Sequence, residues 1–198
     1  MSATEATLIV FAYLLGSVPT GYLMGAWMGV DIRAVGSGNI GATNVARVVG
    51  KRQGILILAA DAAKGFIPVF AALQLGIAPA AALAATAAFL GHLYPVFLKF
   101  RGGKGVATAL GVYAGLAPMV TLLLIVIFVV VALASRIVSL GSMAAALAAP
   151  VILWFFSYPP AVISLSALIA AMIILRHRGN LRRLLAGTEP RFGSISSR

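Results

Sequence analysis

Apolar runs about as long as a bilayer is thick divide this chain, and no other feature limits its fold as strongly. A helix needs about 20 consecutive apolar residues to cross a membrane. Such runs fall at about 6–30, 54–75, 78–98, 138–156 and 162–175. A further run, 105–135, spans 31 residues, which is too long for one untilted crossing. Gly115 and Pro118 punctuate it, and such residues are the strongest local breakers. We divide it into a short span, 105–116, and a longer one, 119–134. The expectation is an all-α integral membrane protein, a polytopic bundle of about seven transmembrane helices, forming one domain over residues 1–198. Composition agrees: 62% of residues are hydrophobic and 10% charged, whereas soluble domains are roughly 45–50% apolar and about 25% charged. Glu5 is the only charge before the first run, so no cleaved signal peptide is expected.

Charge supports the division at 118 and sets the sidedness. With the N-terminus outside, the divided chain puts Arg33, Arg47, Lys51, Arg52, Lys99, Arg101, Lys104, Arg136 and the arginine-rich tail from Arg176 on one side. The opposite turns carry no Lys or Arg. An undivided 105–135 helix would send the tail to the face opposite Arg47, against the excess of Lys and Arg in cytoplasmic loops. The C-terminus is therefore expected in the cytoplasm, with loops 31–53, 99–104 and 135–142 meeting the tail at that surface. The net charge of +11 reflects this bias, an anionic substrate, or both. Nucleic acid is not an expected partner, because the cations are scattered between spans rather than gathered on one basic face.

The most informative polar stretch is Gly36-Ser-Gly-Asn-Ile-Gly-Ala-Thr-Asn-Val-Ala-Arg47. Gly36, Gly38 and Gly41 let backbone N–H groups turn inward as an anion-holding nest. Ser37, Asn39, Thr43 and Asn44 add side-chain donors, and Arg47 adds a fork suited to phosphate or carboxylate. A flexible interfacial loop is the plain alternative. The stretch matches G-x-G-x-x-G, but a dinucleotide fingerprint needs a preceding strand within a βαβ unit, and here a membrane span precedes it. The segment Lys99-Phe-Arg-Gly-Gly-Lys-Gly-Val-Ala-Thr108 is not a Walker loop, since Gly105 follows the lysine where Ser or Thr is required. Its glycines favour close ligand approach around Lys104. Both stretches share Gly-x-x-x-Ala-Thr, which suggests one device used twice, a glycine nest leading into a helix N-terminus.

Other polar residues have competing readings. Asp61 and Lys64 lie three apart within a span, where an unpaired charge costs about 2.5–3.5 kcal/mol. We read them as an internal ion pair that fixes helix packing, with a substrate-facing Lys64 as the alternative. His92 is read as a structural histidine. His177 and Asn180 share a helical face, and His177 is a candidate proton carrier. The arginines around them are read as lying on anionic lipid. Ser139 and Ser142 flank Gly141 and serve as helix caps or ligand donors. The acids Glu5, Asp31, Asp61 and Glu189 form no metal-binding pair, the chain has no cysteine, and no Gly-x-Ser-x-Gly elbow occurs. No metal and no cofactor are expected. The polar groups are donors and cations with few bases, a set that positions anions and leaves reactivity to the substrates.

Taken together, Gly36–Arg47, Lys99–Thr108 and His177-Arg-Gly-Asn180 through Arg182-Arg-Leu-Leu-Ala-Gly-Thr-Glu189 resemble the bacterial acyl-phosphate:glycerol-3-phosphate acyltransferases, the PlsY family. The likeness covers nearly the whole chain in motif order, length and hydropathy. Leu181 replaces the isoleucine that usually follows the asparagine. The resemblance implies an inner-membrane enzyme with its active site on the cytoplasmic side. It implies acyl transfer from acyl phosphate to the 1-hydroxyl of glycerol 3-phosphate, giving 1-acylglycerol 3-phosphate and phosphate, the first acylation of phospholipid synthesis. Ser37, Gly38, Asn39 and Thr43 would form a phosphate-binding loop. Arg47 and Lys104 would bind substrate phosphates, with Ser142, His177 and Asn180 nearby. This chain also lacks the His-x-x-x-x-Asp motif of other acyltransferases, as such a member would. A transporter of an organic phosphate anion is the alternative, but transporters tend to place their sites near the bilayer midplane between repeats. Here the polar motifs sit at span ends.

Overall fold

The computed structural model describes residues 1–192; Arg198, counted above with the basic tail, lies outside the described residues. Every regular element among the described residues is helical. In chain order they are α1 (Ala3–Ser17), α2 (Thr20–Trp27), α3 (Ala42–Val48), α4 (Lys51–Gln74), α5 (Ala78–Leu93), a 3₁₀ turn (Val96–Leu98), α6 (Val106–Leu116), α7 (Pro118–Ser135), α8 (Val138–Phe155), α9 (Pro160–Arg176) and α10 (Arg178–Leu185). The chain divides into two compact units, residues 1–118 and residues from 119 onward.

Among the described residues, five stretches are long and apolar enough to cross a bilayer: Ala3–Trp27, Lys51–Gln74, Ala80–Leu98, Pro118–Ser135 and Val138–Phe155. Counted together across their 56° bend, α9 and α10 would make a sixth, and α6 is apolar but short. The run 105–135 does divide at Pro118, which opens α7. The first run is not the single helix that its hydropathy implies. It breaks at Val18 and Pro19, between α1 and α2. Proline has no N–H to continue the ladder, so the Leu15 carbonyl accepts from the Val18 N–H instead, at 3.2 Å.

Lipid tails offer no hydrophobic drive between helices, so membrane helices associate through small residues that let backbones approach. The first unit is built this way. On α1 and α5, a Cβ added to Gly16 would lie 2.2 Å from the Ala88 carbonyl oxygen, and one on Gly91 would lie 2.4 Å from that of Tyr13. On α4 and α6, a Cβ on Gly65 would meet the Thr108 carbonyl oxygen at 2.1 Å, and one on Gly111 that of Ala62 at 1.8 Å. Apolar side chains instead face outward: Leu122, Val126, Val130 and Leu133 of α7 are all more than half exposed, as a lipid-facing helix requires. In the second unit, Gly141 of α8 lies against Phe128 and Ala132 of α7.

Gly111→Ala is expected to force α4 and α6 apart at an overpacking cost of about 1–3 kcal/mol, read as a lower melting temperature of the detergent-solubilised protein. Gly179→Ala, whose Cβ would meet nothing closer than 3.6 Å, is the control and should leave melting unchanged or slightly raised.

Candidate active site

Two polar segments of the first unit stand on a shared apolar base. Ile32, Ile40 and Val45 pack with Ile57 and Leu98 beneath the 28–41 loop. The loop is fastened by Asn44, which is 2% exposed. Its Oδ1 accepts the Ser37 N–H at 2.8 Å, and its Nδ2 donates to the carbonyls of Ile32 and Val35, both at 3.1 Å. Asn44, expected among the ligand donors, thus has its oxygen and both amide hydrogens engaged within the loop. Gly36 has a φ of +64° and its Cα faces Asn44 Oδ1, so no side chain fits there. Asn39 Oδ1 accepts the Gly41 N–H at 2.8 Å, the Asx turn that leads into α3.

What remains open on this loop is a set of donors. Ser37, Gly38, Thr43 and Arg47 are exposed, and Asn39 is half-buried. Among the described residues, nothing engages Ser37 Oγ, Asn39 Nδ2, Thr43 Oγ1 or the Arg47 guanidinium. Thr43 and Arg47 stand four apart on α3, one turn above the other. Arg33 lies over the Tyr22 ring, 4.5 Å from its centroid.

The second segment, 99–105, folds back on the end of α5. The N–H groups of Gly102 and Gly103 donate to the carbonyls of Leu93 and His92, both at 3.1 Å. A Cβ on Gly103 would lie 2.2 Å from His92 Nε2, and one on Gly102 2.1 Å from the His92 carbonyl oxygen. The close approach that these glycines permit is therefore to the chain itself. They seat the half-buried Lys104 against α5, and Gly105, at a φ of +82°, turns the chain into α6.

Beside both segments, Ser17, Val18, Thr20, Ile40, Asp61, Lys64 and His92 come together in a closely packed polar cluster. Asp61 and Lys64 form the expected pair at 2.8 Å, with side chains 3% and 4% exposed. Lys64 Nζ also donates to the Val18 carbonyl at 3.0 Å, beside the Thr20 N–H at the same distance, so it ties α4 to the break in the first span. Thr20 Oγ1 donates to Asp61 Oδ1 at 2.6 Å, and His92 Nδ1 stands 3.8 Å from the same oxygen.

In the second unit the organiser is Glu189. The sequence reading assigned it no role. The end of α10 is a Schellman turn: Gly187, at a φ of +69°, donates to Leu184, and Thr188 to Arg183 at 2.8 Å. This swings Glu189 back against the helix. Its Oε1 accepts from Ser139 Oγ at 2.6 Å and Asn180 Nδ2 at 2.5 Å, and its Oε2 accepts from Arg183 Nε at 2.7 Å. Burial pushes the Glu189 carboxyl up, but the hydrogen bonds of Ser139, Asn180 and Arg183 and the charge of Arg183 outweigh it and hold the group below its ordinary value. Ser139 and Asn180 are thus joined through one carboxylate. Ser142 Oγ donates to the Val138 carbonyl at 3.0 Å. His177 is 2% exposed, and its Nδ1 lies 2.8 Å from the Ile173 carbonyl. A carbonyl only accepts, so Nδ1 carries a proton, and Nε2 is the basic nitrogen of the neutral ring.

The sequence profile of glycerol-3-phosphate acyltransferases matches residues 6–187. The chain belongs to the glycerol-3-phosphate acyltransferase family. Relatives of that name include one from Geobacter metallireducens, 54% identical over 95% of this chain and 97% of its own. Another, from Aquifex aeolicus, is 46% identical over 93% and 97%. The fold matches crystal structures of PlsY, an integral membrane glycerol 3-phosphate acyltransferase, each 44% identical and covering 96% of both chains. The TM-score is 0.94 for its glycerol 3-phosphate form and 0.91 for its lysophosphatidic acid form. This acyltransferase family member is accordingly an integral membrane protein.

The lowered Glu189 value has a signed consequence. A carboxyl with a depressed folded pKa stabilises fully above its unfolded value, here 4.5, and loses that contribution as pH falls through the folded value. Stability should therefore fall on the acid side of 4.5. Glu189→Gln should lower stability at neutral pH and flatten that acid limb, as measured by thermal melting in detergent across a pH series.

Proposed function

We propose that the two units act as one domain that transfers an acyl group from acyl phosphate to the 1-hydroxyl of glycerol 3-phosphate. The observation that carries this reading is the near-full-length match, at 44% identity, to a structure in a glycerol 3-phosphate form and another in a lysophosphatidic acid form. The acyl-phosphate donor is what the family resemblance implies, and the chemistry is compatible with it. The chain has no cysteine, and the polar segments offer donors and cations, not an activated nucleophile with its base. A mixed anhydride of carboxylic and phosphoric acid needs none, because its leaving group is already good.

In this reading, Ser37, Gly38, Asn39 and Thr43 cradle one phosphate, and Arg47 and Lys104 supply its counter-charge. Ser142, His177 and Asn180 complete the substrate contacts, with Asn44 fastening the loop. The glycerol 1-hydroxyl attacks the acyl carbonyl carbon and a new C–O bond forms. The bond from that carbon to the phosphate oxygen breaks, and inorganic phosphate leaves. The hydroxyl proton goes to a phosphate oxygen of the substrate, so no covalent enzyme intermediate arises. Alignment of hydroxyl and carbonyl supplies part of the acceleration. Fixed donors that meet the developing oxyanion supply the rest, with a loss of about 10²–10³ expected for each one removed. His177 Nε2 is the rival proton acceptor.

Purified protein given acyl phosphate and glycerol 3-phosphate should release phosphate and form 1-acylglycerol 3-phosphate. Lys104→Met and Arg47→Ala should each lower kcat/KM by about 10²-fold or more. His177→Ala should keep measurable turnover. Complete loss with glycerol 3-phosphate binding intact would make the histidine the base. Absence of phosphate release, together with uptake of organic phosphate into proteoliposomes, would point to a transporter instead.

The site is expected at the cytoplasmic face of the bacterial inner membrane, with the N-terminus outside. Because the chain has no cysteine, single cysteines report sidedness directly. In intact cells with a permeable outer membrane, an impermeant maleimide should label Ala161→Cys and leave Arg52→Cys unlabelled until the inner membrane is opened.

A further inference from the structure

The buried cluster under the two polar segments does more than neutralise a charge in a span. We infer that Asp61, through Thr20 and His92, is a brace that holds the 31–41 loop and the Lys104 segment in register, which makes Thr20, Asp61 and His92 positioning residues for phosphate binding. This rests on the cradle reading above.

A hydrogen-bonded path through Thr20 and a longer 3.8 Å contact to His92 start from one carboxylate oxygen. Thr20 Oγ1 donates to Asp61 Oδ1 at 2.6 Å. Thr20 opens α2, and the next residue, Gly21, packs directly on the loop: a Cβ there would lie 1.8 Å from the Ile40 carbonyl oxygen. Ile40 is 5% exposed and ends the glycine-bearing stretch that Asn44 fastens. On the other side, His92 Nδ1 stands 3.8 Å from Asp61 Oδ1. The opposite edge of that ring lies against Gly103, whose N–H donates to the His92 carbonyl. Lys104 is the next residue.

Lys64 fixes the node itself. It neutralises Asp61 at 2.8 Å and donates to the Val18 carbonyl at 3.0 Å, so it pins α4 to the break that orients α2. An ion pair that served packing alone would need neither Thr20 nor His92. A pair that faced substrate directly would be more exposed than 3% and 4%. The cluster's contacts run to the two segments that carry the proposed phosphate groups, and errors of about 1 Å in such positioning cost up to about 10²-fold.

The decisive comparison is Thr20→Val against Thr20→Ser. The first keeps the shape and deletes the hydroxyl, and the second keeps the hydroxyl. Thr20→Val is expected to raise KM for glycerol 3-phosphate about tenfold with kcat at saturation nearly unchanged, and Thr20→Ser should stay near the wild-type KM. His92→Phe, which keeps a ring against Gly103, should also raise KM. A wild-type KM in Thr20→Val overturns the brace, as does equal impairment of the two Thr20 variants, or a loss confined to kcat. If His92→Phe does not yield folded protein, the Thr20 pair decides alone. Lys104→Met is run alongside. If it leaves KM for glycerol 3-phosphate unchanged, the cradle reading has failed. If it raises KM while Thr20→Val does not, only the brace has failed.

Discussion

A carbonyl freed inside a membrane-spanning segment must find a donor, since the bilayer core offers no water to bond it. At the break between α1 and α2 the Val18 carbonyl accepts from the Thr20 N–H and from Lys64 Nζ, both at 3.0 Å. A buried ammonium in turn requires a counter-charge, which Asp61 supplies at 2.8 Å. Removing either partner would strand the other in a low-dielectric interior, at a cost well above that of a surface pair. The interruption of the first span and the charged pair in α4 are thus one structural decision. Its effect is to re-aim α2, so that the chain leaves the span directly into the glycine-bearing loop.

The glycines divide between two tasks. Gly16, Gly91, Gly65 and Gly111 bring helix backbones together, the ordinary means of association in lipid. Gly36 and Gly105 provide backbone turns at φ +64° and +82°. Gly102 and Gly103 belong with the first group, because their missing side chains make room for the end of α5. Rigid seating follows for Lys104. That suits a site which works by holding charged groups at fixed points, where donors act without reorganising at the moment of reaction.

Hydropathy made the helical runs legible, and the break at Pro118 could be read because Gly115, Pro118 and the charge distribution agreed. The Asp61–Lys64 pair was also legible, from spacing and cost alone. Pro19 was not read as a break, because the residues around it are apolar enough to continue the run. Glu189 was missed for a different reason. Its partners Ser139, Asn180 and Arg183 lie on two helices, and only the Schellman turn at Gly187 brings the acid back to them. Asn44 looked like a ligand donor because composition cannot tell which amides a loop uses on itself. His92 was read as a structural histidine, and it is buried, but its contact with Gly103 depends on a fold-back that no local pattern announces.

The four acids explain why so basic a chain can keep cations available. Each acid accepts from a donor of its own chain. Glu5 takes the Ser2 N–H in a capping box, and Asp31 the N–H of Arg33. Asp61 takes Thr20 and Lys64, and Glu189 takes Ser139, Asn180 and Arg183. Lys64 and Arg183 are each paired with one of these acids. With 15 lysines and arginines against 4 acids, most positive charge has no internal counter-charge to satisfy. Carboxylates near the polar loops would compete with an anionic ligand for those cations. By confining its acids to fastening tasks, the chain keeps Arg47 free of any acidic partner among the described residues. In the proposed cradle, a substrate that brings its own phosphate would meet Arg47 with no acid to displace.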